Sequence, residues 1–406
     1  MDQRLPNLKV EKSRIVDGSG KPVTLKGVCL GGWLMMEGYI LYGRNIAERA
    51  FKASFERDLG KEALDEFTRS FRDNFIRESD IRTIKSWGAN CIRIPFNYRL
   101  IEFEDKPFSL NEEGLSYLDR AVEWCDRHAI YCILDMHAAP GAQNPDWHAD
   151  SSGNPEFFEN AFNQDRYLRL WRFLADRYQD INAVAGYDVL NEPLVGFLEE
   201  QRLKDLYGRV TKEIRDVDPG HIIFLEGNYW GQRINFLGKS ADKNTVYSIH
   251  AYPPADYVFN WECDLNYPCK VYNILWNKAR FDFFAKRYSD FVKKAGIPLY
   301  VGEFGINWRG GSCGETAWTK DMLSIFKKYD FHWTYWTYKS VANTIFPDGI
   351  YRYTANPTWV NRKGPVYGWE TFSSLWKTEK GKILSSWRTE NFKLNHKILS
   401  VLRKNF

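Results

Sequence analysis

The chain has little of what would mark a membrane, nucleic-acid or disulfide-built protein. Nowhere do about 18 uncharged apolar residues run together, so no membrane span is expected. The 56 basic and 52 acidic side chains nearly cancel, which argues against an electrostatic nucleic-acid binder. The short basic pairs Lys293-Lys294 and Lys327-Lys328 fall near predicted helix ends, where they complement the helix dipole. Cysteines number seven, an odd set. Cys29, Cys91 and Cys132 sit in strand-like apolar runs and read as buried free thiols, and for Cys263 and Cys269 alone the sequence leaves a loop disulfide open beside free thiols. The histidines His148, His221 and His332 form no short ligand pattern, so neither a metal nor another cofactor is expected. No Pro/Gly/Ser-rich linker, low-complexity tract or repeat divides the 406 residues, which favours one large domain over two or three. The opening Met1-Asp2-Gln3-Arg4-Leu5-Pro6 has no basic segment followed by an apolar stretch. The expected location is therefore cytoplasmic, or outside the cell after removal of a leader.

What the chain has in surplus is aromatic: 16% of residues, with 16 Trp. Many must be core, but Trp and Tyr in loops also suit stacking on the apolar faces of sugar rings. Short Val/Ile/Leu/Tyr-rich runs at residues 25–30, 90–95, 131–137, 185–191, 222–226, 246–250, 299–303 and 332–337 read as eight strands. Between several of them lie single apolar stripes at helical spacing, such as Leu115, Leu118, Val122 and Cys125, or Leu203, Leu206, Val210 and Ile214. Strands separated by helices run parallel, and eight of them close into an α/β (β/α)8 TIM barrel. Residues 1–24 are expected to form an N-terminal β-hairpin covering the barrel floor, with Asp17-Gly18-Ser19-Gly20 as its turn, and residues 25–406 the barrel itself. Residues 385–403 read as a final helix.

In such barrels chemistry sits at the C-terminal ends of the strands. Two of the runs, Tyr187-Asp188-Val189-Leu190-Asn191-Glu192-Pro193 and Pro298-Leu299-Tyr300-Val301-Gly302-Glu303-Phe304-Gly305, end in a glutamate. Paired carboxylates at strand ends point to glycosidic bond cleavage. Arg93, His137, Glu226, His250 with Tyr252, and Trp336 stand at the ends of the other strands. Asp135 and Asp188 lie inside strands and read as interior hydrogen-bond partners, and Glu226 divides evenly between substrate contact and scaffold.

With these residues in place the chain resembles glycoside hydrolase family five, the cellulase-like retaining glycosidases, over nearly its whole length. The family's eight-residue site is matched by Arg93, His137, Asn191, Glu192, His250, Tyr252, Glu303 and Trp336. The resemblance implies that Glu192 is the general acid/base and Glu303 the nucleophile. Gly31-Gly32-Trp33-Leu34-Met35-Met36-Glu37 and Leu134-Asp135-Met136-His137-Ala138-Ala139-Pro140-Gly141-Ala142-Gln143-Asn144 resemble the branch containing fungal exo-β-1,3-glucanases. That local likeness implies that Glu37 and Asn144 bind hydroxyls of the terminal sugar.

Two carboxyls about 5–5.5 Å apart, as retaining enzymes require, do not both ionise comfortably. Arg93 and the Tyr252 hydroxyl are expected to favour charge on Glu303, leaving the proton on Glu192. Asn191 suits the sugar 2-hydroxyl, and Trp336 offers a flat face beneath the ring. Long insertions at 31–60, 138–162, 253–278 and 339–376 would rise around the site as walls. The expectation is an exo-acting retaining β-glycosidase on β-glucans or β-gluco-oligosaccharides, carbohydrate being the only partner implied. An endo-β-1,4-glucanase, a β-mannanase and a transglycosylase are the alternatives.

Overall fold

A computed structural model describes residues 5–41, 43–342, 344–353 and 371–406. In chain order the strands that build and flank the core are β1 (Leu8–Glu11), β2 (Arg14–Asp17), β3 (Lys26–Cys29), β4 (Cys91–Asn97), β5 (Tyr131–Ala138), β6 (Val184–Asp188), β7 (Ile222–Glu226), β8 (Thr245–His250), β9 (Cys269–Val271), β10 (Ile274–Trp276), β11 (Leu299–Phe304) and β12 (His332–Tyr335). Strands β3 to β8, β11 and β12 pair in parallel in that order, and β12 returns to β3, closing an eight-stranded TIM barrel. Every residue of β4 and β5 is buried. That continuous burial follows from side chains filling the barrel on one face and helices covering the other.

The helices Glu112–Arg127, Ala161–Tyr178, Glu200–Arg215, Lys278–Ala295 and Glu315–Lys328 lie where the apolar stripes place them, and Leu115, Leu118, Val122 and Cys125 are all buried. Asn111 and Asn277 open two of them by accepting hydrogen bonds from the backbone N–H three residues on. Lys293, Lys294, Lys327 and Lys328 occupy last turns, as the dipole argument requires. Three further helices, Glu48–Leu59, Lys61–Phe75 and Glu78–Ser86, fill the stretch between β3 and β4.

Below the barrel, Leu8 of β1 and Ile15 of β2 join Cys91, Tyr131, Ile133, Ile222, Phe224 and Tyr300 in one buried cluster. The antiparallel hairpin is thus a plug for the N-terminal end of the barrel. Its reversal differs from the expected one. Glu11 pairs with Arg14, so the turn is Lys12-Ser13, both with positive φ. Asp17 instead organises the next turn, its carboxylate accepting from the Ser19 and Lys21 N–H groups.

One other expectation is corrected, and the pairing left open for the loop cysteines is answered. The run 385–403 is not one helix: Phe372–Trp387 ends at Arg388, a short strand Lys393–Leu394 pairs with Tyr351–Tyr353, and Asn395 caps a separate helix His396–Arg403. Cys263 and Cys269 form no disulfide, Cys263 being exposed and Cys269 buried at the start of β9, and all seven cysteines are free. The strand thiols Cys29, Cys91 and Cys132 are buried, as expected. Of the insertion at 339–376, residues 343 and 354–370 lie outside the described residues. Among the described residues no helix is long and apolar enough to cross a membrane.

Candidate active site

Arg93 projects from β4 into the centre of the barrel and is fully buried. Its Nε donates to Asp188 Oδ2 at 2.9 Å and its Nη1 to Glu303 Oε1 at 2.7 Å. Nη2 donates to Glu226 Oε1 and Asn191 Oδ1, each at 2.9 Å, and lies 3.1 Å from Asp135 Oδ2. One guanidinium does not neutralise four buried carboxylates, so some of them hold protons. Burial raises Asp135 to about 8 against the pull of Arg93. Asp188 is driven well above its ordinary range by burial and then by Glu226. Glu226 goes the other way, because His250 and Arg93 outweigh its burial.

Above this layer stand Glu192 and Glu303. The Tyr252 hydroxyl donates to Glu303 Oε2 at 2.7 Å. Glu192 has a left-handed backbone, φ 46°, and its N–H donates to Glu226 Oε2 at 2.7 Å. Positive φ is uncommon for a side chain of this size and is held here by that buried acceptor. Each carboxylate oxygen of Glu192 meets a histidine: Oε1 lies 2.6 Å from His250 Nδ1, and Oε2 lies 3.0 Å from His148 Nε2. Oxygens of Glu192 and Glu303 and a ring nitrogen of His250 all lie within 4.8 Å of one another, the one group of this kind among the described residues.

The proton balance differs from the expected one. Burial pushes the Glu192 carboxyl up, but His250 and His148 together outweigh it and hold it well below the ordinary range. His148 is correspondingly raised to about 9, its Glu192 contact overcoming its burial. His250 is raised well above its usual value by Glu226, Glu303 and Glu192, again against burial. Before substrate arrives the proton therefore resides on the histidines that flank Glu192, not on Glu192 itself.

The other anticipated residues divide into two groups. Glu37, His137, His250, Tyr252 and Trp336 line the cavity above the two carboxylates. Glu37 is buried, its Oε1 has no hydrogen-bond partner among the described residues, and burial raises it to about 8. His137 stacks on Trp336 with ring centroids 5.5 Å apart and planes 6° apart, and its Nδ1 lies 2.8 Å from Asp135 Oδ2. Burial lowers His137 to about 3, so the ring is neutral. The Trp336 indole N–H donates to the Tyr39 hydroxyl. Gly31 and Gly305 make room for this tryptophan: a Cβ on Gly31 would sit 2.8 Å from its ring, and one on Gly305 1.9 Å from its carbonyl oxygen.

Asn191, Arg93 and Asn144 lie behind that surface. Asn191 is buried and its Nδ2 has no partner among the described residues. Asn144 is engaged within the protein, Nδ2 donating to the Glu192 carbonyl at 2.9 Å and lying 3.1 Å from His148 Nε2, and Oδ1 accepting from Asp146 N–H at 2.9 Å. It shapes the loop that carries Glu192. Gln143 braces the same place, donating to the carbonyls of His137 and Asn191.

Sequence reasoning missed His148, which it weighed only as a metal ligand, and also Tyr39, Trp147 and Phe346. These join loops that are remote in sequence. Phe346 packs on Tyr39 at 5.1 Å, on Trp147 at 5.4 Å and on Phe259 at 5.5 Å between ring centroids, linking the segments after β3, β5, β8 and β12. The cavity they enclose has a volume of about 800 Å³.

The sequence model described as Cellulase (glycosyl hydrolase family 5) matches residues 58–341. A beta-xylosidase of Phanerodontia chrysosporium is 36% identical over 348 residues, 82% of this chain and 71% of that one. Endoglucanase C of Acetivibrio thermocellus is 28% identical over 69% of this chain and 89% of its own length. A probable glucan 1,3-beta-glucosidase A of Neosartorya fischeri is 26% identical over 80% of this chain and 88% of its own. Endoglucanase Cel5A of Thermotoga maritima superposes with a TM-score of 0.60 at 20% identity, over 80% of this chain and 92% of its own, a likeness of fold.

Proposed function

The chain belongs to glycosyl hydrolase family 5 and is a retaining glycoside hydrolase, and from that premise we propose that it is an exo-acting β-glycosidase, removing one sugar at a time from the non-reducing ends of β-gluco-oligosaccharides. The observation that carries the exo reading is the aromatic cluster in which Phe346 packs on Tyr39 and Trp147, all three lining the cavity together with Glu37 and Trp336; in our reading it is a wall across that end. A blocked end admits a chain terminus and excludes a chain interior. The whole chain is read as one catalytic domain, since Trp376 and Trp387 of the C-terminal region pack on Phe67 from the segment after β3.

Within this reading Glu303 is the nucleophile, aligned by Tyr252 and Arg93, and Glu192 is the acid/base. Both carboxylates reach the same His250 nitrogen, Nδ1 lying 2.6 Å from Glu192 Oε1 and 3.6 Å from Glu303 Oε2, a closeness that suits direct attack of a carboxylate on the anomeric carbon better than the wider gap that leaves room for a water. The sugar lies on Trp336, with Glu37 as a partner for its hydroxyls. A proton passes from His148 or His250 to Glu192 and on to the leaving oxygen. Loss of the Glu303 charge on esterification then lets Glu192 act as base toward water.

A second reading, xylose in place of glucose, is favoured by the name of the 36% identical relative. A chromatographic time course on laminari-, cello- and xylo-oligosaccharides tests both. A single monosaccharide from the first minute is the expected result. A first product of two or more sugars, or rapid viscosity loss of a long β-glucan, would refute the exo reading.

A further inference from the structure

Glu37 and His148 reach the cavity from segments far apart in sequence, one after β3 and one after β5. His148 sits in a single helical turn, Trp147–Ala149, which ends on Asp150 in the left-handed region, φ 56°. Aspartate tolerates that region better than most residues, yet the conformation persists only where the surroundings hold it. Here the buried Asp150 carboxylate does so.

Its oxygens are used outside their own loop. The helix Glu48–Leu59 opens on Ala47, which has no side-chain oxygen for the first N–H groups. Asp150 Oδ1 takes that place, accepting from the Arg49 N–H at 2.8 Å, and its negative charge suits a helix N-terminus. Oδ2 accepts from Arg99 Nε at 2.9 Å and from Asn97 Nδ2, at the end of β4, at 3.2 Å. The same Nδ2 lies 3.4 Å from Glu48 Oε2, which accepts at 3.0 Å from the N–H of Met36, the residue before Glu37. Lys52 pairs with Glu48 as Arg99 does with Asp150, so each anion has its own cation. Glu48, Asn97 and Asp150 are all buried, and none of the three lines the cavity. A buried polar network with its charges matched makes rigid what it joins. What it joins here is the Glu37 segment, the end of β4 and the His148 turn.

Resting on the acid/base role read for Glu192, we propose that Asp150 is a positioning residue of the reaction: by fixing the turn that carries His148 it holds that imidazole against Glu192, and through Asn97 and Glu48 it sets the turn against the Glu37 segment. His148 Nε2 lies 3.0 Å from Glu192 Oε2. A displacement of about 1 Å takes such a contact out of hydrogen-bonding range. His250 alone would then be left to supply the proton that Glu192 passes to the leaving oxygen.

Asp150→Gly tests this, because glycine keeps the left-handed turn accessible and removes only the carboxylate. The quantity read is the ratio of kcat/KM on a disaccharide to kcat/KM on the dinitrophenyl β-glycoside of the same sugar, glucose or xylose, whichever is accepted. The disaccharide needs a proton on its leaving oxygen and the dinitrophenyl glycoside does not, so the ratio is expected to fall about tenfold or more. A role confined to folding lowers both rates together and leaves the ratio where it was, and that result overturns the proposal. Where the glycine variant does not fold, Asp150→Asn is read instead; it keeps the turn and one acceptor but sets an amide against Arg99 and Asn97, and its ratio is expected to fall by a smaller factor. By NMR, His148 is expected to titrate lower in the variant than in the native enzyme, and an unchanged titration also overturns the proposal. Glu192→Gln separates the two levels. If it leaves the ratio unchanged, the acid/base reading itself fails and the role of Asp150 with it; if it lowers the ratio and the Asp150 variant does not, only the role of Asp150 fails.

Discussion

Glu192 is held by two histidines, one on each oxygen. Sequence reasoning placed a proton on this carboxyl because two nearby carboxylates repel, and it had no means of seeing His148 arrive on the loop after β5. Neither its spacing from Glu192 nor any short motif announces the contact. Glu192→Gln is expected to slow hydrolysis of unactivated glycosides by about 10²–10⁴-fold and that of aryl glycosides with good leaving groups far less, since the latter need no proton in the first step. Equal losses on both classes, measured as kcat/KM, would remove Glu192 as the acid. The same variant gives a direct reading on His148. Its imidazole is expected to titrate by NMR near 9 in the native enzyme and lower in Glu192→Gln, because the carboxylate that chiefly holds the proton is gone and only Asp146 and Glu37 are left to oppose burial. Glu37→Ala is expected to lower kcat as well as raise KM, as contacts used in the transition state do; near-normal kinetics would detach Glu37 from the sugar site.

At the scale of elements, the eight barrel strands were legible because parallel strands buried on both faces spell nearly continuous apolar runs, and the helices because each buries one stripe. Legibility failed where local chemistry offered two solutions. Asp17-Gly18-Ser19-Gly20 is a good turn sequence and does form a turn, but the hairpin reverses earlier at Lys12-Ser13, where no glycine signals it. The apolar residues of 385–403 suggest a helix throughout, yet pairing with Tyr351–Tyr353 draws residues 393–394 into a strand. The plug residues should behave as core and not as a lid. Ile15→Ala is expected to cost about 2–4 kcal/mol of unfolding free energy in denaturant titration while leaving KM unchanged, because the residue is 1% exposed and packs at the end of the barrel away from the cleft. A stability loss under about 0.5 kcal/mol would mean that the hairpin is only loosely seated.

For the whole molecule, two buried groups of the cavity, His148 and Glu37, tilt stability toward the acid side of the interval above pH 6.5. His137 and His332, lowered by burial to about 3 and 4, pull the other way only below 6.5, and Lys339, lowered to about 8, only above 8. His148 has a folded value of about 9 against an ordinary 6.5. Its contribution, on the order of 3 kcal/mol, is fully present below pH 6.5 and is lost as pH rises through 9. Glu37, raised to about 8, acts in the same direction, since ionising it in the folded state is costly once the unfolded chain has already lost that proton above its ordinary 4.5. Thermal midpoints are expected to decline between about pH 6.5 and 9, and to decline less steeply in Glu192→Gln, which removes the His148 share. A midpoint that rises over that interval would contradict the protonation pattern.

Arg93 ties β4 to carboxylates on β5, β6, β7 and β11, so the barrel centre keeps a common account of charge. Trapping a sugar on Glu303 deletes one anion from it. His250, raised by Glu226 and then by Glu303 itself, then holds its proton less tightly. Formation of the covalent intermediate should therefore expel protons into the medium. In calorimetry of a fluorinated inactivator this appears as a reaction heat that varies with the ionisation enthalpy of the buffer. The enzyme would thus report its own acylation-like step through the solvent, without any chromophore on the substrate.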